Sequence, residues 1–491
     1  MMGPSGKPIG SMLPPRRDGR RGLARRAFDG ATGGRLTADW ITSNLSADAA
    51  LYGRLNILRD RARDLERNNE WVRGFLRTLE NNVLGESGIA LQMRVRDQSG
   101  RLDEVANQII EDRWWQWGRV GNCTLNRRQS WRDVQKLVLR SIARDGEVMV
   151  RIRRRREGLR LQVLESDLLD TDYNVTLGNG NEVRFGVEFG PDREVVAYHL
   201  LNRHPGDNLP TSVPTERHTR VEAFALIHLF IEERADQSRG FPWVVASVRG
   251  LRMLDGYQEA ELVAARTAAA KMGFFTRKAG EGYEGESDSE GNLRMDASPG
   301  SFEELPEGVD FKAWDPNHPN QAFGDFIKAR LRGVATSLGV SYNTLTSDLE
   351  GVNYSSIRAG LLEEREVWKA LQRWLIEHFC EPVFSAWLQI ELMSSRMPLP
   401  ATKIWKFDAP EFRGRRWQWV DPKKDMEAAI LGIRAGLTSQ RDVIAEGGGD
   451  RHDVFTTIAS DNEEAAKLGL IFPELTDGKT PSAPVAEVQP V

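Results

Sequence analysis

The chain has 491 residues, 40% of them apolar and 28% charged, with a formal net charge of −4. Such a composition builds a large core, over roughly two to four domains or one elaborated subunit. It excludes a polycation that binds nucleic acid over its whole surface, so any DNA contact comes from a local patch or from the geometry of an assembly. Cys123 and Cys380 are far apart and the seven histidines are scattered, which supports neither a zinc site nor a disulfide framework. The longest apolar-rich stretch, 221–231, is too short to span a bilayer, and no apolar signal core opens the chain, so a cytoplasmic protein without a membrane anchor is expected.

Residues 1–40 hold eight cations against three acids, a local charge of +5, and read as a mobile basic arm. It serves DNA phosphates or assembly equally well. Helical spacing over 45–84 predicts two helices broken near Arg67-Asn68-Asn69. Residues 89–95 alternate like a strand, and 103–117 are helical with Trp114, Trp115 and Trp117. Ser130 with Asp133 looks like the cap of a helix ending near Asp145-Gly146. The period then changes. Residues 147–154 and 159–164 form a hairpin signal around Glu157-Gly158, 182–189 with 194–201 a second, and 221–230 a further strand. A breaker-poor helix follows over 242–271, then a short strand at Phe274-Phe275. Residues 280–310 hold ten acids against one cation, a local charge of −9, and cannot pack a core. Residues 319–337 resume as a helix, 339–353 read as a loop, and 354–394 as a very long helix interrupted only at Pro382. Short helices are expected over 422–435, 439–446 and 452–468, then a disordered tail.

Catalytic constellations are missing. Gly478-Lys479-Thr480 ends like a phosphate loop, but Pro473 stands where the loop needs glycine. Neither HExxH nor GxSxG occurs. Asp145 and Glu147, with Arg151 beyond, could suit a metal-dependent nuclease, but Asp145-Gly146 more simply makes a helix-to-strand turn. His228, alone in an apolar strand, reads as a satisfied core histidine rather than a ligand. No catalytic, cofactor-binding or metal-binding residue is assigned.

Specific strings then accumulate in order: RRAFDGATGGR (25–35), RARDLERNNEWVRGFLRTLENNVLGESGIALQ (61–92), WWQW (114–117), RDGEVMVR (144–151), LQVLESDLLD (161–170), GVEFGPDREVVAYH (186–199), QSRGFPW (237–243), GVSYNTLTSDLEGVNYSSIRAGLLEERE (339–366) and VDPKKDMEAAILGIRAGL (420–437). Over roughly residues 25–470 the chain resembles the lambda-type portal proteins of tailed bacteriophages. The resemblance implies an α+β, mainly helical portal fold with wing, stem, clip and crown regions, assembled as a dodecameric ring. The basic arm (1–40) then precedes a wing (41–241), a first stem helix (242–272), a clip with the acidic insertion (273–318) and a second stem helix (319–338). A tunnel loop (339–353), a long wing helix with its following segment (354–420), a crown (421–473) and the tail (474–491) complete it. It implies a non-enzymatic channel at one capsid vertex, assembled in the host cytoplasm and kept in the virion. Implied partners are double-stranded DNA bound without sequence specificity, the large terminase subunit that supplies the force, head–tail connectors, and major capsid and scaffold proteins. Lys328 and Arg332, one helical turn apart on a single face, are the expected channel cations. Tyr342, Asn343, Thr344, Ser347 and Asn353 are the expected tunnel-loop residues, and Glu303, Glu304 and Glu307 the expected docking acids of the clip. A DNA-cleaving enzyme and an adaptor that never touches DNA are the rival classes.

Overall fold

A computed structural model describes residues 35, 42–207, 216–269, 273–277, 309–313, 322–351, 353–417, 422–446 and 451–469. The basic arm other than Arg35, the docking acids Glu303, Glu304 and Glu307, and the tail 474–491 lie outside the described residues.

Three helices open the described body: α1 (Ala47–Leu51), α2 (Leu55–Asn68) and α3 (Glu70–Val83). The expected break falls at Asn69, whose backbone is extended and whose side chain accepts the Val72 amide at 3.1 Å, so it caps α3. Strand β1 (Ala90–Met93), α4 (Glu104–Trp117) and α5 (Trp131–Asp145) follow. Ser130 and Asp133 form the expected reciprocal capping box on α5, and Gly146 ends it in the left-handed region at φ 89°. The expected hairpin is β2 (Glu147–Arg155) with β3 (Gly158–Leu164), in register Val150 opposite Val163.

The rest of the β-rich block departs from expectation in two places. Residues 182–189 are not one strand but two, β5 (Glu182–Arg184) and β6 (Val187–Phe189), after the short β4 (Val175–Thr176). Phe185 (φ 49°) and Gly186 (φ 79°) make a two-residue turn with both φ positive, the geometry that matches strand twist in tight hairpins. Strand β7 (Val195–Leu201) pairs with β6 as expected. Residues 221–230 also divide, into the end of β8 (His218–Glu222) and β9 (Leu226–Phe230), with a 3₁₀ turn at Ala223–Ala225 between them. β8 closes the five-stranded sheet β4-β5-β6-β7-β8, whereas β9 joins the sheet β3-β2-β9. Both halves bury apolar residues, so the sequence carries no gap in hydrophobicity where the chain changes sheets.

Helix α6 (Val248–Ala269), strand β10 (Gly273–Arg277), its antiparallel partner β11 (Val309–Ala313) and α7 (Ala322–Ser337) come next. A short α8 (Tyr342–Thr346) precedes α9 (Tyr354–Leu375). The long helix breaks at a π turn, Ile376–Cys380, before α10 (Glu381–Met393). Pro382 has no N–H to offer the carbonyl four residues earlier, so the ladder widens one turn ahead of it rather than at it. α11 (Ile404–Phe407), β12 (Pro410–Arg413), α12 (Pro422–Arg434), α13 (Gln440–Glu446) and α14 (Arg451–Lys467) complete the order, and β12 pairs with β1.

The alternation of β2 organises two cores. Val148, Val150 and Ile152 face the main one, with α3, α4, α5 and α10. There Trp114 packs edge-on against Trp131 and Trp387 at ring separations of 5.4 and 5.1 Å. Trp114 and Trp117 of the WWQW run are thus core, whereas Trp115 is exposed and stacked by Arg119. Met149, on the other face, packs with Leu164, Val187, Tyr198, Leu200 and Val221 between the two sheets. Among the described residues no helix is long and apolar enough to cross a membrane.

Candidate functional site

Helix α7 carries Lys328 and Arg332, and the segment after it returns across their face. Lys328 Nζ lies 3.4 Å from Glu350 and 3.8 Å from Asp348. The Tyr342 hydroxyl donates to Asp348 at 3.1 Å, and the Arg332 guanidinium sits 5.6 Å from the Tyr342 ring centroid. The Lys328 ammonium titrates above its ordinary value because Glu350 and then Asp348 hold it charged. The Asp348 carboxyl titrates below its own, because the Glu350 amide and then the Tyr342 hydroxyl donate to it. All of this is at the surface, with Glu350 and Leu349 largely exposed. Lys328, Arg332 and Tyr342 are therefore brought together. Asp348 and Glu350, the partners of Lys328, complete the group, and pairing 20 or so residues apart in sequence leaves no periodic mark.

The stretch 339–353 is not wholly a loop. Ser341 caps α8 by accepting the Thr344 amide at 3.1 Å, and Glu364 of α9, itself buried, receives the Ser341 amide and the Thr344 hydroxyl, the latter at 2.7 Å. That anchor, with Leu345 in the core, favours a helical turn over open chain. Thr344 thus ties the turn to α9 through Glu364. Asn343 gives its carbonyl to the Ser347 amide, and Ser347 ends the turn at φ 57°. Asn353 lies at the start of α9, its carbonyl accepting from Ile357. Gly339 (φ 69°) and Gly351 (φ 71°) bracket the segment with two further left-handed residues.

A second charged group lies inside the body. Glu147 is fully buried and accepts from Arg59, from Arg239 Nε at 2.8 Å, from the Gly240 amide at 2.9 Å and from His228 Nε2 at 3.0 Å. Arg239, also fully buried, gives its remaining donors to the carbonyls of Ser166, Leu169 and Phe185. Glycine is required beside it: a Cβ on Gly240 would meet the Gly146 carbonyl at 2.1 Å, and one on Gly146 would meet Phe241 backbone at the same distance. The Arg239-Gly240 pair of QSRGFPW is thus the clasp between the helical body and both sheets, a role its residue types alone do not announce. His228 is the satisfied core histidine expected. The Asp145 carboxylate is taken by Arg63 at 2.8 Å and Arg144 at 2.6 Å. Both carboxylates of the nuclease alternative are therefore saturated by guanidinium and amide donors. Burial opposes the Glu147 charge, but Arg239 and Arg59 outweigh it and hold its carboxyl well below the usual range.

Among the described residues, one further set could approach a cation: Glu165, Asp167 and His204. Arg63 lies 2.5 Å and Arg59 3.5 Å from Asp167, so this corner is already neutralised.

The sequence model described as "Phage portal protein, lambda family" matches residues 33–372. A "Probable portal protein" of Halomonas phage phiHAP-1 is 36% identical over 458 residues, covering 91% of this chain and 88% of that protein. Portal protein B of Escherichia phage lambda is 21% identical over 479 residues, covering 89% of each. Among solved structures, a chain from the virion of a native gene transfer agent particle matches with a TM-score of 0.43 and 14% identity, over 81% of this chain and 94% of that one. The family match over most of the chain, with a relative more than a third identical along nearly its whole length, shows that the chain belongs to the lambda family of phage portal proteins and has a portal role.

Proposed function

We propose that copies of this chain close into a ring, dodecameric by family resemblance, whose bore passes double-stranded DNA at one capsid vertex during packaging and ejection. α6 and α7 are the stem helices in this reading, residues 339–353 the tunnel loop, and the helices from α12 onward the crown. The segment around β10 and β11 is the clip that docks the large terminase subunit and later the head–tail connectors, with capsid and scaffold proteins around the rim. The chain is not an enzyme; the partner ATPase supplies the force.

The observation that supports this best is the group Lys328, Arg332, Tyr342, Asp348 and Glu350. Asp348 and Glu350 meet Lys328 at the surface, and such exposed ion pairs contribute little net free energy. Passing phosphates can displace the acids and be displaced in turn, which suits a surface over which DNA slides. A ring repeats the group around its axis.

The test is Lys328→Glu with Arg332→Glu in assembled procapsids, scored for DNA packaged and DNA retained. Loss of either is expected; wild-type values for both would remove these residues from the channel. Electron microscopy of purified protein checks the ring itself, and particles without a central hole would overturn it.

A further inference from the structure

The tip of the β2–β3 hairpin concentrates positive charge that no part of the channel reading uses. Residues 151–160 hold six arginines and one acid, Glu157, a local charge of +5. Strand alternation places Arg151, Arg153 and Arg155 on one face, successive members about 6.8 Å apart at two strand rises. The same face bears Glu147 and Met149 deeper in, where the five-stranded sheet covers it. Beyond Met149 the cover ends, and Arg151 and Arg153 are half-buried while Arg154, Arg155 and Arg156 are exposed.

Register makes this face costly in isolation. Arg153 stands directly opposite Arg160, and Arg151 opposite Gln162. Like charges directly across a ladder destabilise it. Arg160 is partly relieved, donating to the Gly121 and Asn122 carbonyls and lying 3.4 Å from Glu157, but Glu157 is shared with Arg127 at 3.1 Å. Arg151, Arg153 and Arg155 have no carboxylate partner among the described residues. Arg153 Nε and Gln162 Oε1 are both buried without a hydrogen-bond partner. Burial, and then the charge of Arg153, push the Arg151 guanidinium below its ordinary value. A groove of about 260 Å³ runs along these arginines to Phe224, which is 71% exposed beneath Arg154. Among the described residues, unspent donors, cations without a carboxylate partner and an open groove together describe a site suited to an anion.

We propose that the Arg151–Arg153–Arg155 face binds the phosphate backbone of duplex DNA, as a contact separate from the α7 face. A phosphodiester backbone is a regular line of single negative charges. Three guanidiniums in a straight row meet such a line without needing any sequence register, and each fork grips phosphate oxygens in a bidentate fashion. The site takes DNA as a static grip, unlike a surface that must let DNA slide, because Arg151 and Arg153, half-sunk in a groove, lose their water on contact.

The experiment titrates the full-length protein with a short labelled blunt-ended duplex across a salt series. Parent protein is compared with Arg151→Gln/Arg153→Gln/Arg155→Gln, with the corresponding triple lysine variant, and with Lys328→Gln/Arg332→Gln. The triple glutamine variant is expected to lower the slope of log affinity against log salt by about 2–3, at roughly 0.9 per phosphate contact. The lysine variant keeps that slope with weaker binding, and the α7 variant lowers the slope only by its own contacts, independently of the triple glutamine change. The glutamine variant is expected to melt no lower than the parent, since it removes a like-charge opposition. Unchanged binding by the triple glutamine variant overturns the proposal. So does a lower melting temperature, which would make the arginines structural. Displacement of the duplex by polyglutamate at equal charge concentration also overturns it, by showing a surface for an acidic protein segment. Loss of binding in the α7 variant alone leaves the channel reading standing and this one fallen.

Discussion

The charges around Glu147 and those around Lys328 are the same chemistry in opposite surroundings. Each centre places one charge among several of the other sign, with backbone amides or hydroxyls filling the gaps. Around Glu147 both charged partners, Arg59 and Arg239, are fully buried. Around Lys328 the lysine side chain is 40% exposed and that of its nearer acid, Glu350, 83% exposed. Buried, such a group fixes one arrangement, because any member left alone keeps its full desolvation cost. Exposed, it tolerates exchange, because water takes the place of a lost partner. In the proposed channel, a rigid body and a yielding lining differ by depth rather than by residue type.

The largest effect that sharpens the contrast is Glu147→Gln. It strands two guanidiniums in the interior and is expected to cost about 3–5 kcal/mol in urea unfolding; a loss below about 1 kcal/mol would erase the distinction. Its pH dependence follows from sign. The folded carboxyl titrates well below its ordinary value of 4.5, so the unfolded chain takes up the proton first. The stabilisation is therefore complete above about pH 5 and fades as pH falls through the folded value. The parent should lose stability in acid more steeply than Glu147→Gln. Next comes Ser341→Ala, which removes the cap of α8 while leaving Glu364 in place. About 1 kcal/mol of local stability should disappear, read as faster amide exchange over 341–346. Smallest is Lys328→Gln. It should leave the melting temperature unchanged and quicken exchange only over 347–351. A large drop in melting temperature would place Lys328 in the same class as Arg59.

Local signals were legible in the sequence, and long-range ones were not. The Ser130–Asp133 box, the Asn69 break and the β2–β3 turn are each written within a few residues, and each formed where expected. The division of 182–189 depends on Phe185 accepting positive φ, which its residue type disfavours. It is held there by Asn174, whose side chain accepts the Phe185 amide at 2.8 Å, and by Arg239 on its carbonyl. The split of 221–230 depends on which sheet each half joins, a question hydrophobicity does not answer. The pairing of β1 with β12 joins segments more than three hundred residues apart and leaves no local mark. For the site, shared-face spacing found Lys328 and Arg332, but only folding shows that the next segment supplies acids for Lys328 and a ring for Arg332. Arg151 and Arg153 fall within the alternation expected over 147–154, and their charge acquires meaning only once register sets Arg153 against Arg160.

The antiparallel pair β10–β11 bears on how this lineage can vary. The chain departs along Gly273–Arg277 and returns along Val309–Ala313 in continuous register, Gly273 opposite Ala313 and Arg277 opposite Val309. Residues can be added or deleted between Arg277 and Val309 without moving either end, and the entropy of closing such a stretch grows only with the logarithm of its length. The ten acids of 280–310 fall almost entirely within it. Insertions and deletions among relatives are thus expected to accumulate there, while the paired strands on either side stay unchanged.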